Sequence, residues 1–314
     1  MNSAISSGQR VLITGGTGLL GLNWACAIRD THEVFLGTHR RQVSLRGTRS
    51  VALDLDDPSR LTRQIEQLAP RLIVHTAGLA SVDLCEKEPE YARKVNADYS
   101  LNIAHAAARV GAGLIHVSTD HLFEGGRSLY REEDTPSPLN KYGETKLLAE
   151  QFVAEAHPGA LIVRTNFFGW GHAFRQSFSD WILANLSGGQ PISMFDDVFF
   201  SPILADRLTL AAHRLAEQGA CGIYNIVGDE RISKYEFALR LADRYGFSRE
   251  PIRRGSIADA NLPTRRPHDM SLDNSKARES LAGSLGTIAD FLGELERQEK
   301  AGRRAEVFAA VSGE

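Results

Sequence analysis

The chain has 314 residues, of which 42% are hydrophobic and 24% charged, proportions typical of a globular protein with its own core. Its net charge of -3 excludes the overall basic field by which many proteins bind nucleic acid. No apolar run approaches the ~18 residues of a membrane span, and the N-terminus has no apolar signal region. We therefore expect a cytoplasmic protein that binds neither nucleic acid nor membranes.

Short apolar runs alternate with longer amphipathic segments through the first half of the chain. The apolar runs predict six strands, at residues 10–14, 33–38, 50–54, 71–76, 113–118 and 160–164. The intervening segments predict helices, among them one that follows a glycine-rich turn and others at 58–69, 89–110 and 140–156. Strands that are apolar throughout and separated by helices indicate an α/β fold, a doubly wound parallel sheet of the Rossmann type.

The regular alternation ends after Gly169. Helices are predicted near residues 204–217 and 234–246, with a short strand at 223–227 between them. We expect residues 1–165 to form the Rossmann domain. Residues 166–314 are expected to form a smaller C-terminal lobe that is partly interleaved with the sheet.

A glycine-rich turn, T-G-G-T-G-L-L-G at residues 14–21, follows the first strand and opens the first helix. Gly15 allows a tight turn, Gly18 lets the backbone approach a pyrophosphate, and Gly21 lets helix and strand pack closely. The helix N-terminus supplies amide donors and a favourable dipole for phosphate. The turn therefore predicts a dinucleotide-binding loop, with contacts from Gly15, Thr17, Gly18, Leu19 and Leu20.

The residues after the second strand bear on the choice of dinucleotide. A carboxylate there would bind the ribose 2′-hydroxyl of NAD, but the sequence has T-H-R-R at 38–41. Guanidinium groups suit a 2′-phosphate, so we predict that His39 and Arg40 contact NADP(H) in an NADP-binding domain, with NAD(H) as the open alternative. A solvated basic loop without a ligand is the other interpretation.

Tyr142 and Lys146 are spaced i and i+4 on a predicted helix, which places both side chains on one face. A free tyrosine has a pKa near ~10 and is a weak acid at neutral pH. A neighbouring ammonium stabilises the phenolate and lowers that pKa, which suits acid-base catalysis. The pair follows Ser118 and Thr119, which end the fifth strand.

The chain has three cysteines, Cys26, Cys85 and Cys221, which are far apart and form no C-x-x-C pair. Widely spaced thiols in odd number argue against a disulfide framework and a structural zinc site. No other cluster of metal-ligating residues is visible in the sequence. We therefore predict reduced thiols and no catalytic metal.

Four stretches carry a family resemblance. They are H-T-A-G-L-A-S-V-D at 75–83, S-T-D-H-L-F-E-G at 118–125, the segment from Pro138 to Lys146, and R-P-H-D with a later L-D and K at 266–276. With the G-x-x-G-x-x-G spacing of the glycine turn, they resemble the extended short-chain dehydrogenase/reductases, and among them the dTDP-4-dehydrorhamnose reductase family. The resemblance covers roughly Val11 to Gly283. It implies that the C-terminal lobe binds a nucleotide sugar.

The resemblance implies a role for each matching residue. Tyr142 would donate a proton to the substrate carbonyl oxygen, Thr119 would hydrogen-bond that oxygen, and Lys146 would tune Tyr142 and hold the cofactor ribose. Asn96 matches a position that shapes the site. Further cofactor contacts are implied for Asp54, Leu55, Ala77, Gly78 and Thr165. Substrate contacts are implied for Ser81, Val82, Asp120, His121, Asn166 and Arg266.

Some of these residues have a second interpretation. Asp54 also fits a loop or helix-capping residue, and Arg266 also fits a solvated basic loop. His121 stands where the reductases have tyrosine, and it is either a proton-transfer group or an inert packed side chain. Nucleotide-sugar dehydratases have an Asp-Glu pair after the threonine, whereas Asp120 is followed here by His121. A reductase needs only a hydride and one proton.

We therefore expect an NADPH-dependent reductase of a nucleotide-linked keto-sugar, active in deoxysugar biosynthesis, for which a homodimer is compatible with the sequence. Two alternatives remain open. One is a nucleotide-sugar epimerase that keeps NAD bound, against which the basic end of the second strand argues. The other is a non-catalytic dinucleotide-binding regulatory subunit, such as that of methionine adenosyltransferase, against which the intact Thr119, Tyr142 and Lys146 argue.

Overall fold

Fifteen strands occur in the computed structural model, which describes residues 8–39 and 41–312. In chain order they are β1 (Arg10–Thr14), β2 (Glu33–Thr38), β3 (Gln42–Val43), β4 (Thr48–Ala52), β5 (Leu72–His75), β6 (Gly113–Val117), β7 (Leu161–Arg164), β8 (Phe167–Phe168), β9 (Ile192–Phe195), β10 (Phe199–Phe200), β11 (Ile203–Leu204), β12 (Gly222–Asn225), β13 (Ile232–Ser233), β14 (Ile252–Gly255) and β15 (Val311–Ser312).

Twelve α-helices connect and cover these strands in the described ranges. They are α1 (Leu19–Ile28), α2 (Pro58–Leu68), α3 (Val82–Lys87), α4 (Pro89–Arg93), α5 (Tyr99–Val110), α6 (Lys141–Ala156), α7 (Phe178–Ser187), α8 (Ala205–Glu217), α9 (Lys234–Tyr245), α10 (Ser275–Leu281), α11 (Ile288–Lys300) and α12 (Arg303–Ala309). A π-helical turn, Lys94–Asp98, joins α4 to α5.

The central sheet has seven parallel strands in the spatial order β12-β7-β6-β5-β1-β2-β4. The chain runs outward from β1 in both directions, so the strand order reverses between β1 and β5. Ligands of open α/β sheets bind beyond the carboxyl ends of the strands at such a reversal. The predicted doubly wound fold is confirmed, and the glycine-rich turn that follows β1 lies at this position.

The apolar strands explain why the sheet is covered on both faces. Leu12 and Ile73 pack into one buried cluster with α2 and α5, whereas Val11 and Val74 pack into the other with α1 and α8. Alternate residues of one strand point to opposite faces, so a strand apolar at every position supplies both clusters.

Several predicted elements differ from those observed; the strand predicted at 223–227, for example, is observed at Gly222–Asn225. The third predicted strand, 50–54, begins two residues earlier because Thr48 pairs with Val34 of β2. The predicted helix 89–110 contains the π-turn, which periodicity alone does not reveal.

The C-terminal part of the chain is connected to the sheet through β12. This strand pairs with β7, Gly222 opposite Leu161, and it supplies the seventh strand. The pairs β9–β14, β10–β13 and β8–β11 lie outside the central sheet. Across residues 8–39 and 41–312, no helix has both the length and the apolar character needed to cross a membrane.

Candidate active site

The glycine-rich turn brings β1, α1 and the end of β5 into close contact. Gly15 has a φ of 73°, and a Cβ there would lie 2.7 Å from the Cα of Ala77. A Cβ on Gly21 would lie 2.6 Å from the carbonyl oxygen of Gly15. Gly18 is the N-cap residue of α1, and no side chain there hydrogen-bonds the first backbone amides of the helix. Those N–H groups can therefore bind a ligand.

A cleft of about 430 Å³ opens beside this turn, and we name it the first compartment. Among its lining residues are seven predicted cofactor contacts, Gly15, Thr17, Gly18, His39, Leu55, Ala77 and Gly78. Arg41 also lines it, although we did not select that arginine from the sequence. Arg40, which we did select, lies outside the described residues.

Two other predicted cofactor contacts are engaged elsewhere. The Asp54 carboxylate accepts hydrogen bonds of 3.2 Å from the amides of Asp56 and Asp57 and pairs with Arg60 at 3.1 Å. The Thr165 hydroxyl donates to the carbonyl oxygen of Ile226 at 2.7 Å. Neither residue is part of the cleft lining in the described structure, and the arrangement around Asp54 matches its second interpretation as a loop-capping residue.

A second compartment of about 280 Å³ adjoins the first. The two share Gly18, Ala77 and Gly78, so they form one continuous cleft. The second compartment is lined by the predicted Leu19, Leu20, Asn96, Tyr142 and Lys146, and by Ser118, Phe167, Arg175 and Phe178. The double cleft therefore joins the glycine-rich turn to the residues around Tyr142.

Helix α6 positions Tyr142 and Lys146 at the carboxyl end of β6. Asn140 begins the helix, since its side-chain oxygen accepts a 3.0 Å hydrogen bond from Gly143 N. The Lys146 ammonium donates to the carbonyl oxygen of Val117 at 2.8 Å. Burial lowers the pKa of Lys146 to about 8, against an opposing attraction to Glu150. The sequence spacing therefore does place both side chains at one cleft.

The pKa of Tyr142 is shifted in the direction opposite to our expectation. Burial raises this pKa to about 12, and hydrogen bonding with Thr119 lowers it by less. The ammonium of Lys146 is bonded to a main-chain carbonyl instead of the phenol, so burial dominates. Tyr142 is consequently a protonated phenol at neutral pH, the form that donates a proton.

Thr119 belongs to a buried polar cluster next to Tyr142. Its hydroxyl donates to Asp120 at 3.2 Å, and the other Asp120 oxygen accepts from Asn166 Nδ2 at 2.5 Å. Burial raises the pKa of Asp120 to about 6. Thr119 and Asp120 come from one predicted stretch and Asn166 from the segment after β7, and the structure brings them together.

His121 packs edge-on against Tyr142, with ring centroids 5.5 Å apart. Burial, together with the smaller effect of the positive charges of Lys234 and Arg266, lowers the pKa of His121 to about 3. His121 is therefore neutral at physiological pH. Lys234, at the start of α9, was not identified from the sequence, because only the tertiary fold brings α9 to the end of β6.

The π-turn directs Asn96 into the site. Its side-chain oxygen accepts from Leu79 N at 2.7 Å, and its amide donates to Thr145 at 3.0 Å. Asn96 thereby connects the loop after β5 to α6, one residue before Lys146. This contact agrees with the site-shaping role that the resemblance implies.

The remaining predicted substrate contacts lie around α3. Ser81 begins this helix by accepting from Leu84 N at 3.3 Å, and Val82 is buried. Arg266 Nη2 pairs with Asp83 at 2.9 Å. The late R-P-H-D stretch is thus held against the first turn of α3.

The second compartment contains a polar atom that a ligand could satisfy. Ser118 Oγ is buried without a hydrogen-bonding partner, and Ser118 lines the compartment beside Tyr142. Within residues 8–39 and 41–312, no three His, Cys, Asp or Glu side chains converge in a way that could hold a metal ion.

Comparisons with known proteins identify the family to which the chain belongs. A family model described as the RmlD substrate binding domain matches residues 9–295. The chain belongs to this family. The resemblance that the four sequence stretches carry is thereby confirmed.

Proteins similar to this chain include a sugar reductase and a subunit of methionine adenosyltransferase. The dTDP-4-dehydrorhamnose reductase of Escherichia coli K12 is 31% identical over 241 residues, 73% of this chain and 80% of the relative. Methionine adenosyltransferase 2 subunit beta of Xenopus tropicalis is 33% identical over 288 residues, 86% of this chain and 81% of the relative.

Among solved structures, a dTDP-4-dehydrorhamnose reductase from Bacillus anthracis in complex with NADP has the same fold. It superposes with a TM-score of 0.81 at 25% identity, covering 93% of this chain and 99% of that one. The RmlD family thus includes nucleotide-sugar reductases, and this chain shares their Rossmann-type architecture.

Proposed function

We propose that this RmlD-family chain is an NADP(H)-dependent reductase that converts the keto group of a nucleotide-linked sugar to a hydroxyl group. One observation carries the proposal. Tyr142 and Lys146 line a compartment that is continuous with the cleft of the glycine-rich turn. A proton donor and a dinucleotide cleft are the two parts that ketone reduction requires.

Each residue of the site has a separate role in this reaction. The bound nicotinamide supplies the hydride. Tyr142, protonated at neutral pH, donates its phenolic proton to the carbonyl oxygen of the substrate, and the Thr119 hydroxyl orients that oxygen. Lys146 holds the cofactor ribose, and its ammonium stabilises the phenolate that remains on Tyr142.

Several features support NADP(H) as the cofactor. The first amides of α1 are free of a side-chain cap and suit a diphosphate. Arg41 lines the first compartment beside His39, and its guanidinium forms the positive edge that suits a 2′-phosphate. Arg40 stays a predicted contact from the sequence. We propose that Asp120, Asn166 and Arg266 face the substrate, with Ser81 and Val82 forming the adjacent wall.

The reductase is favoured over reactions that need a second acid-base group. His121 occupies the position of the dehydratase glutamate and is neutral near pH 7, with its pKa lowered to about 3. Such a side chain packs against Tyr142 and does not move a proton. An epimerase that retains NAD would have no 2′-phosphate to bind at the positive edge of the first compartment.

A regulatory subunit is the second candidate, because the relative from Xenopus tropicalis is a methionine adenosyltransferase subunit. Against it stands the assembled set of Thr119, Tyr142 and Lys146, which binding of a partner does not require. Both candidates would bind the cofactor, so only catalytic turnover distinguishes the reductase from the regulatory subunit.

The test is the nicotinamide absorbance with time, for the purified chain given NADPH or NADH and a panel of nucleotide-linked 4-keto-6-deoxy sugars. The panel carries dTDP, GDP, CDP and UDP as the nucleotide. We expect substrate-dependent oxidation of NADPH that falls by about a thousandfold in Tyr142→Phe. The matched control is Tyr245→Phe, at a tyrosine at the end of α9 that lines neither compartment. Cofactor binding without turnover on any sugar would contradict the reductase and favour the regulatory subunit.

A further inference from the structure

The C-terminal segment, Arg303–Ser312, lies beyond residues 9–295, the part of the chain that matches the family model. Its strand β15 pairs antiparallel with β3, Val311 opposite Val43. Ser44 N donates to the carbonyl oxygen of Ala310 at 2.8 Å. Because β3 begins one residue after Arg41, the C-terminal segment is hydrogen-bonded to the chain that leaves the first compartment.

This segment is firmly anchored. Both Glu306 oxygens accept from the Arg29 guanidinium, at 2.6 and 2.7 Å, and the Arg29 side chain is only 5% exposed. Val307 and Val311 are buried in the same apolar cluster as Val43. A bidentate, largely buried ion pair with apolar packing resists fraying. The segment is therefore firmly packed against β3, the strand that follows Arg41.

A second contact connects the C-terminal segment to the loop that packs on Arg41. Ala173 N donates to the carbonyl oxygen of Phe308 at 3.2 Å. The next residue, Phe174, places its ring 4.7 Å from the guanidinium carbon of Arg41. The C-terminal segment thus holds both the strand that follows Arg41 and the loop whose aromatic ring contacts it.

We propose that the C-terminal segment determines cofactor specificity, by holding Arg41 at the first compartment where it can bind the 2′-phosphate of NADP(H). The inference rests on the proposed NADP(H) cofactor. Arg41 is exposed, and an exposed arginine loses much rotamer entropy when it binds a ligand. A guanidinium that is positioned in advance avoids part of that loss. NADH has no 2′-phosphate, so its binding does not depend on Arg41.

The experiment compares dissociation constants for NADPH and NADH, from quenching of protein fluorescence, in a variant that lacks residues 310–314. We expect the Kd for NADPH to rise about tenfold, the loss of roughly one charge-assisted hydrogen bond, with the Kd for NADH unchanged. Arg41→Gln should give the same selective loss. Truncation in the Arg41→Gln background should then add little, because both changes remove one interaction.

Two further variants serve as controls. Phe308→Ala removes an exposed side chain and leaves its carbonyl contact with Ala173, so it should leave both constants unchanged. Glu306→Gln weakens the anchor to Arg29 without shortening the chain, and it should weaken NADPH binding by a few-fold. It tests the same proposal if the truncated chain does not fold.

The possible failures are distinguishable. Equal loss of NADPH and NADH binding on truncation, or full additivity with Arg41→Gln, would overturn the role of the C-terminal segment alone. An unmodified chain that binds NADPH no better than NADH would overturn the proposed cofactor, and with it this inference.

Discussion

The Lys146 ammonium donates a 2.8 Å hydrogen bond to the main-chain carbonyl of Val117, the last residue of β6. This bond ties the helix that carries Tyr142 to the carboxyl end of the central sheet. The ammonium bonds this carbonyl and not the phenol, and burial is the largest influence on the pKa of Tyr142. The same lysine therefore has a structural and a chemical consequence, and each can be measured.

The chemical consequence is an alkaline limb in the pH dependence of activity. Burial lowers the pKa of Lys146 to about 8, so its ammonium is present below that pH and lost above it. We expect kcat/KM for ketone reduction to fall above about pH 8. Lys146→Met should lower kcat/KM by about a hundredfold or more and remove that limb. A limb that persists in Lys146→Met would assign the ionisation to another group.

The structural consequence concerns stability. Because the pKa of Lys146 in the folded chain, about 8, is below the ordinary value of 10.5, the unfolded chain binds more protons between these two values. The buried ammonium therefore costs stability below pH 8, and the cost disappears as pH rises to 10.5. We expect the stability of Lys146→Met relative to the unmodified chain to decline across this window. Denaturant unfolding at several pH values measures the slope, and a flat difference would refute the assignment.

The buried pair of Arg164 and Glu150 should matter more to stability than any exposed pair. Arg164 Nε and Nη2 both donate to the Glu150 carboxylate, and the bond from Nη2 is 2.8 Å long. The Arg164 and Glu150 side chains are 2% and 3% exposed. Glu150→Gln leaves a buried guanidinium without its counter-charge, so we expect a loss of about 3–5 kcal/mol in the free energy of unfolding. Chemical denaturation with a two-state fit measures it.

An exposed pair is the matched control. Lys141 and Glu144 approach to 2.7 Å on the same helix, but their side chains are 43% and 49% exposed. We expect Glu144→Gln to change the free energy of unfolding by about 1 kcal/mol or less. Similar losses in Glu144→Gln and Glu150→Gln would show that burial does not set the value of the pair.

Gly15 is expected to be essential to the first compartment for two separable reasons. Its φ of 73° disfavours side chains, and a Cβ would lie 2.7 Å from Ala77. Gly219 has a similar φ of 77°, but a Cβ there would meet none of the described atoms within 4 Å. Gly219→Ala therefore isolates the backbone strain, about 1–2 kcal/mol.

Gly15→Ala adds the collision to that strain. We expect it to lower the free energy of unfolding by more than Gly219→Ala does and to weaken NADPH binding at least about tenfold, since the turn must shift. Denaturant unfolding and titration of NADPH compare the two variants. Unchanged NADPH binding in Gly15→Ala would remove the turn from the proposed cofactor site.

The core of the fold and the centre of the site could be predicted because they depend on short-range patterns. The apolar runs predicted six strands of the central sheet, although not the two-residue β3 outside it. The i,i+4 spacing predicted that Tyr142 and Lys146 share a cleft. Strand and helix periodicity, glycine turns and helical faces are properties of a few neighbouring residues. The π-turn at Asn96 escaped prediction because it changes helical geometry without changing composition.

What the sequence by itself determined is the Rossmann-type sheet, the glycine-rich turn after β1 and the Tyr142–Lys146 face of α6. Only the tertiary structure showed that Arg41 lines the first compartment, that Asp54 caps a loop, and that Lys234 lies near His121. It alone paired β15 with β3, two strands that most of the chain separates. Such contacts join residues far apart in sequence, and they follow from how helices and strands pack, for which no local pattern exists.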